Sequence, residues 1–200
     1  MYQHEVLIIF TKNPTLGKVK TRLAKTIGAE KALEVYHQLL QLTQKKTVDL
    51  PYSIIVYYDN FIDENDLWLN SSYAKKLQKK GDLGEKMQDA FENAFHNKAT
   101  KVVIIGSDCP EITPEILTEA FDSLDKYDTV IGPANDGGYY LLGMKELITN
   151  VFKDKNWSTA TVKNDTVNDL KNLDKTIYLL PELTDIDTEE DLQNFKNILS

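Results

Sequence analysis

Apolar residues along the chain occur in short unbroken runs that alternate with longer segments of helical spacing. The runs over residues 5–10 and 101–106 have almost no polar position between their ends. Such runs are typical of parallel strands that are buried on both faces. The alternation of strands with helices predicts a single α/β domain over residues 1–200, with a mainly parallel, doubly wound sheet flanked by helices.

The spacing of apolar residues and the turn residues set the expected element boundaries. Apolar residues three and four positions apart predict helices, whereas β-branched and aromatic runs predict strands. Residues 11–28 are expected to form a polar loop, and residues 61–69 an irregular segment or a short helix. We expect strands over 5–10, 52–58, 73–78, 101–106, 128–132, 139–143 and 176–180, and helices over 29–47, from 83 onwards, from 114 onwards, over 161–173 and from 189 onwards.

Three of the predicted helices begin with residues that cap a helix N-terminus. Asp82 and Glu85 have the spacing of a capping box, in which each side chain accepts a hydrogen bond from the other residue's backbone N–H. Thr113 and Pro114 suit the N-cap and the first helical position. The last helix is expected to begin after Thr188, with Asp191 at its third position and with Leu192, Phe195 and Leu199 on its inner face.

Composition fits one ordinary globular domain and argues against several classes of protein. The chain is 42% hydrophobic and 27% charged, which is near the globular average. A net charge of −8 disfavours non-specific binding to nucleic acid or to an anionic membrane. No apolar run approaches the ~18 residues of a membrane span, and the first residues lack a signal-peptide pattern, so we expect a cytoplasmic protein. The single cysteine, Cys109, rules out an intrachain disulfide.

The loop after the first predicted strand combines positive charge with glycine. Lys12, Lys18, Lys20 and Arg22 lie close together in an acidic chain, and Gly17 permits a tight turn among them. Doubly wound sheets bind ligands at the carboxyl ends of their strands, so this loop is a candidate phosphate site. Because it follows neither the Walker A pattern nor G-x-G-x-x-G, an ordinary lysine-rich surface loop is the alternative.

Carboxylates follow two further predicted strands. Asp108 comes directly after the run over 101–106, where it is a candidate metal ligand or acid–base group, or alternatively a turn residue. Asp136 precedes Gly137 and Gly138. These glycines either form a simple hairpin turn or let a ligand approach the backbone, with Asp136 aimed at that ligand.

Another pair of carboxylates follows the last predicted strand. Asp185 and Asp187 share one side if their segment is extended, because side chains alternate along extended backbone. An acidic approach to a helix N-terminus is the alternative interpretation.

Cys109 is expected to be a packing residue, and the three histidines have no metal-binding spacing: His4, His37 and His96.

Six motifs occur in an order that is similar to that of a known family. They are K-x-P-x-x-G-x-V-K-T-R-L over 12–23, G-D-L-G-E-K-M over 81–87, G-S-D-C-P over 106–110, G-P-A-x-D-G-G-Y-Y over 132–140, W-S-T over 157–159 and D-I-D-T-E-E-D-L over 185–192. From about residue 6 to residue 195, the chain resembles the bacterial radical-SAM/selenodomain-associated transferases, also called arsenosugar-biosynthesis glycosyltransferase-like proteins. That family belongs to the GT-A glycosyltransferase superfamily.

The resemblance implies a metal-dependent site that binds a nucleotide. In relatives of this fold the aspartate after the central strand binds Mg²⁺ or Mn²⁺, which implies Asp108 as a catalytic and metal-binding residue. The late D-T-x-x-D-L segment implies Asp187 as the second ligand, with Asp185 as the fallback. Nucleotide or substrate contacts are expected from Lys12, Gly17, Lys20, Arg22, Gly84, Gly137, Gly138 and Trp157. For Trp157, packing in the core is an equally open interpretation.

One departure from the superfamily pattern bears on the reaction. Many glycosyltransferases of this fold have D-x-D after the central strand, whereas Ser107-Asp108-Cys109 contains one acid. The leading hypothesis is still a metal-dependent glycosyltransferase that uses a nucleotide sugar and a small-molecule acceptor. The alternative is a guanylyl- or cytidylyl-type nucleotidyltransferase that takes a nucleoside triphosphate and releases pyrophosphate, and the third hypothesis is a non-catalytic nucleotide-binding module. In either enzyme, Asp136 is the candidate to orient or deprotonate an acceptor hydroxyl.

Overall fold

The computed structural model describes residues 4–69 and 71–195, and within them seven strands form one sheet. The strands are β1 (Glu5–Thr11), β2 (Ser53–Tyr58), β3 (Tyr73–Leu77), β4 (Lys101–Ile105), β5 (Thr129–Pro133), β6 (Tyr139–Met144) and β7 (Ile177–Leu179). Their order is β3-β2-β1-β4-β6-β5-β7. Only β6 runs antiparallel to its neighbours, β4 and β5. The predicted mainly parallel, doubly wound sheet is confirmed.

Helices cover both faces of this sheet. Side chains of β1 alternate between the faces, as extended backbone requires. Leu7 and Ile9 join the core beneath the helices over 29–47 and 114–123, whereas Val6 and Ile8 join the core beneath the helices over 83–96 and 162–172. The helices are α1 (Thr21–Ile27), α2 (Ala29–Thr47), α3 (Leu83–His96), α4 (Pro114–Ser123), α5 (Val162–Asn172) and α6 (Glu189–Asn194), with a 3₁₀ turn over Thr149–Phe152.

Most predicted boundaries agree with the structure, including α2 over its full length and the capping boxes that begin α3 and α6. The expectation of a loop throughout residues 11–28 is wrong, because α1 lies inside it. No side chain caps this short helix, and only Leu23 in it is buried. Leu23 packs with residues of α2 and with Ile186, so distant contacts hold α1. The predicted position of Leu199 lies outside the described residues.

Candidate active site

A cavity of about 560 Å³ opens at the edge of the sheet where β1 and β4 end. The loops that follow β1, β2, β3, β4 and β7 all contribute to its wall. This is the edge where doubly wound sheets bind ligands. The cavity wall contains two chemically different groups of residues. We call them the charged end, formed by Lys20, Arg22, Asp108, Asp185 and Asp187, and the neutral end, formed by Phe10, Gln78, Leu83 and Met87, next to which Lys86 also lines the cavity.

Lys20 occupies the centre of the charged end. Its ammonium nitrogen lies 3.1 Å from Oδ2 of Asp108 and 3.3 Å from Oδ1 of Asp187, and the side chain is only 3% exposed. Burial by itself lowers the pKa of Lys20, but the carboxylates of Asp108 and Asp187 outweigh it and raise that pKa above its usual value. The ammonium therefore stays charged and bridges two strand ends.

The backbone at Lys20 adopts a left-handed conformation, with φ 47° and ψ 44°. A residue other than glycine is disfavoured in this region of backbone conformation. Backbone strain of this kind concentrates at functional sites. The conformation ends the first loop and starts α1, and it brings the Lys20 side chain inward. Arg22, two residues later, is largely exposed and lies 3.5 Å from Asp187.

Asp185 is the third carboxylate of the charged end. It has no carboxylate–cation pair among the residues that the structure describes. Burial and the nearby Asp108 carboxylate raise the pKa of Asp185 to about 7, and Lys20 opposes that rise. The backbone N–H of Ile186 donates to the Asp108 carbonyl at 3.1 Å, which fixes this segment against the end of β4. Asp185 and Asp187 both line the cavity, as the alternation of side chains predicts.

Hydrogen bonds of Tyr36 and Asn13 hold the first loop in place. The hydroxyl of Tyr36 accepts from the Lys12 backbone N–H at 2.8 Å and lies 3.4 Å from Oγ of Ser107, the residue before Asp108. The buried amide of Asn13 donates to the Phe61 carbonyl at 3.0 Å. Sequence reasoning missed both residues, because a tyrosine on a helix and an asparagine in a loop carry no signal of these distant partners.

The neutral end is held by amide hydrogen bonds and by packing. Nε2 of Gln78 donates to the carbonyls of Thr11, at 3.2 Å, and of Tyr57, at 3.1 Å. Both partners are acceptors, so the amide orientation is determined. Leu83 is 41% exposed beside it at the start of α3, and the buried Met87 lies one turn later. Sequence reasoning did not identify this end, since its residues are not of types that suggest chemistry.

The structure brings together six of the predicted site residues in the cavity wall, if the fallback ligand Asp185 is included, and leaves the others outside it. Those in the wall are Lys12, Lys20, Arg22, Asp108, Asp185 and Asp187. Gly17 supplies a positive φ of 74° in the first loop without lining the cavity. Asp136 is exposed at the hairpin, where its carboxylate accepts from the Gly138 N–H at 2.8 Å. It is near enough to contribute to the raised pKa of Asp185.

Three residues that were predicted to contact a ligand pack against other parts of the protein and do not line the cavity. A Cβ added to Gly84 would lie 2.6 Å from the Trp157 ring, and one added to Gly137 would overlap the backbone of Ala160. Trp157 is half-buried against the face of the sheet that α3 covers. Close packing accounts for these residues, and their contacts with a ligand stay predictions.

The carboxylates that were predicted to bind metal fit a divalent cation. No ready-made group of three or more His, Cys, Asp or Glu side chains occurs in residues 4–69 and 71–195. However, Asp108 and Asp187 already share one cation, the Lys20 ammonium. Carboxylate oxygens are the ligands that Mg²⁺ prefers, and one or two of them suffice when water and phosphate complete the shell. Cys109 is not a candidate nucleophile, because burial raises the pKa of its thiol.

Comparisons with known proteins find a matching family and a curated relative. The model of the family described as "Uncharacterized protein conserved in bacteria (DUF2064)" matches residues 40–159. A 2-phospho-L-lactate guanylyltransferase of Methanocaldococcus vulcanius is 24% identical over 188 residues, which cover 94% of this chain and 82% of that protein. The predicted class, a transferase, is confirmed by this homologue and by structural neighbours that are transferases.

Solved structures are similar over nearly the whole chain. A protein from Desulfovibrio desulfuricans G20, assigned to the nucleotide-diphospho-sugar transferases, has a TM-score of 0.86 and 29% identity, covering 98% of this chain and 97% of its own. The manganese complex of Rv0371C from Mycobacterium tuberculosis H37Rv has a TM-score of 0.57 and 12% identity, covering 96% and 97%. No helix in the described part of this chain has the length and apolar character needed to cross a membrane.

Proposed function

This chain belongs to the bacterial DUF2064 family, and we propose that it is a nucleotidyltransferase that moves a nucleotidyl group from a nucleoside triphosphate to a small-molecule acceptor. The observation that carries the proposal is the charged end of the cavity. There Lys20 is held between Asp108 and Asp187, with Arg22 beside them. Cations and metal-binding carboxylates at one strand edge are what phosphoryl chemistry on a nucleotide requires.

In the proposed reaction, an acceptor oxygen attacks the α-phosphorus of the donor. The bond from that phosphorus to its bridging oxygen on the β-phosphate breaks, and pyrophosphate leaves with the electron pair. Negative charge therefore grows on the leaving group, where Lys20 and Arg22 stabilise it electrostatically. If the acceptor oxygen is a hydroxyl, Asp136 is the proposed base that takes its proton. An ionised phosphate acceptor needs no base.

Asp108 and Asp187 are the residues that would hold a divalent ion in this site. Such an ion supplies Lewis-acid stabilisation of phosphate oxygens when it is bound. Support comes from the shared cation position between these carboxylates, and from the manganese that is bound in a protein of the same fold. A cytoplasmic location remains an expectation from the sequence.

Nucleotidyl transfer is favoured over glycosyl transfer by two observations. Asp108 is the single acid directly after β4, where many glycosyltransferases of this fold have D-x-D. The curated relative that aligns over 94% of this chain is a guanylyltransferase. Glycosyl transfer stays the second candidate, supported by the nucleotide-diphospho-sugar transferase assignment of a protein that is 29% identical. The link to radical-SAM or arsenosugar chemistry rests on the order of motifs alone.

Product analysis tests this proposal. The protein would be incubated with Mn²⁺ or Mg²⁺, each of the four nucleoside triphosphates, and small acceptors such as 2-phospho-L-lactate and other phosphorylated acids. We expect pyrophosphate release that depends on one nucleotide and on the acceptor. A parallel set with nucleotide sugars measures nucleoside diphosphate release. Turnover only in that second set would overturn nucleotidyl transfer in favour of glycosyl transfer, and nucleotide binding without turnover in either set would indicate a binding module.

A further inference from the structure

The ammonium of Lys20 lies where a cation shared by Asp108 and Asp187 would lie. We infer that this lysine acts as a built-in competitor of the metal: it neutralises the two carboxylates in the nucleotide-free protein, and it is displaced when metal and triphosphate arrive together. This inference rests on the proposed function. It adds that the metal binds tightly only together with the triphosphate, so the metal alone is a weak ligand.

The geometry of the Lys20 ammonium indicates that it competes with a metal ion for the two carboxylates, so that the two cations do not bind there together. The ammonium's two contacts are with Oδ2 of Asp108 and Oδ1 of Asp187, one oxygen of each carboxylate that is predicted to hold the metal. The Lys20 side chain is 3% exposed, whereas the carboxylates are 44% and 40% exposed. Solvent, and hence an incoming ion, reaches the carboxylates from the cavity, while the lysine approaches them from inside the protein. A second positive charge at the same oxygens is repelled by the first.

A triphosphate removes this conflict because it brings its own negative charge. Its oxygens offer the Lys20 ammonium a new partner, and charge-assisted hydrogen bonds to phosphate are among the stronger ones in proteins. The two carboxylates then lose their shared Lys20 partner and can bind the divalent ion, while Arg22 stays beside Asp187. Lys20 is therefore expected to act with opposite sign on two ligands: it weakens the binding of free metal and strengthens the binding of nucleotide.

Titration with Mn²⁺ alone tests whether Lys20 weakens the binding of free metal. Free Mn²⁺ would be measured by electron paramagnetic resonance with the unmodified protein, Lys20→Met and Lys18→Met. Lys18 is exposed on the same loop and outside the cavity wall, so its variant removes the same charge without opening the carboxylates. We expect Lys20→Met to bind Mn²⁺ at least about tenfold more tightly than both other proteins. In the variant Lys20→Met/Asp108→Asn, this gain should disappear.

Lys20→Gln provides a safeguard, because a buried methionine between two carboxylates risks unfolding the variant. The neutral amide can donate to either carboxylate, and circular dichroism verifies the fold. We expect the same gain in Mn²⁺ affinity, together with at least a tenfold loss of affinity for a nucleoside triphosphate. Mn²⁺ affinity of folded Lys20→Gln that equals that of the unmodified protein would overturn the inference. The Mn²⁺ titration contains no nucleotide or acceptor, so pyrophosphate release without this gain would leave the proposed function standing.

Discussion

The charged and neutral ends of the cavity are built by different means. The charged end depends on ion pairs between side chains far apart in the chain, with 167 positions separating Lys20 from Asp187. The neutral end depends on an amide that is hydrogen-bonded to two backbone carbonyls and on residues packed at the start of α3. A charged ligand competes directly for the partners of ion-paired side chains, whereas it offers no comparable partner to an amide that is bonded to backbone carbonyls or to packed apolar groups. We therefore expect the charged end to rearrange on binding and the neutral end to act as a fixed surface.

The strongest test of this contrast removes the acid at the end of β4. Asp108→Asn keeps the size of the side chain but loses the charge that a divalent ion needs. Turnover is expected to fall about 10²–10³-fold, corresponding to the several kcal/mol that a metal ion contributes to phosphoryl chemistry. Steady-state pyrophosphate release measures the effect. Asp122→Asn, an exposed position on α4, is the control, and equal rates for both variants would remove Asp108 from the mechanism.

Arg22→Ala tests whether the first loop binds phosphate. The guanidinium is largely exposed and its pair with Asp187 is long, at 3.5 Å, so little stability depends on it. The affinity for a nucleoside triphosphate is expected to drop about tenfold, the value of one charge-assisted hydrogen bond. Isothermal titration calorimetry measures this change. Lys18→Ala, on the exposed part of the same loop, should bind like the unmodified protein; similar losses in both variants would point to a general charge effect.

Gly84→Ala tests the close packing at the start of α3, beside the neutral end. The new methyl group would lie 2.6 Å from the Trp157 ring and would overlap the Phe152 carbonyl oxygen. Overpacking of this kind costs about 1–3 kcal/mol, which lowers the Tm of a 200-residue chain by roughly 2–4 °C for each kcal/mol. Thermal unfolding measures the loss. Nucleotide affinity of the folded variant should change little. An unchanged Tm with weakened nucleotide binding would instead support the predicted ligand contact at Gly84.

Asp185→Asn tests the electrostatic strain of the charged end. The folded pKa of Asp185, about 7, lies above its usual value of 3.8, so the native state holds this proton more tightly than the unfolded chain. Stability is then lost as pH rises from about 4 to 7, because the unfolded state releases the proton first. The Asn variant avoids that loss. We expect a Tm higher by a few degrees at pH 8, with a gain that shrinks towards pH 4; a gain that is independent of pH would contradict the raised pKa.

Much of the scaffold follows from local pattern. Unbroken apolar runs predicted β1 and β4, and the spacing of Asp82 and Glu85 predicted the capping box of α3, because these signals depend on neighbours within a few residues. The rule that ligands bind at strand ends pointed to Asp108 and the first loop before any contact was known. Helix α1 escaped prediction, since its stability comes from Leu23 packing on distant residues.

The sequence by itself determined the strands of a mainly parallel sheet, most of its helices and the edge at which chemistry is expected. Only the tertiary structure decided which of the candidate residues meet. Lys20 could have been one more exposed lysine, but the left-handed backbone at this position brings it between Asp108 and Asp187. Asp136 and Trp157, equally prominent in the motifs, lie outside the cavity wall. The physical reason is that periodicity and capping act over one turn or one strand, whereas burial and ion pairing depend on how distant loops pack.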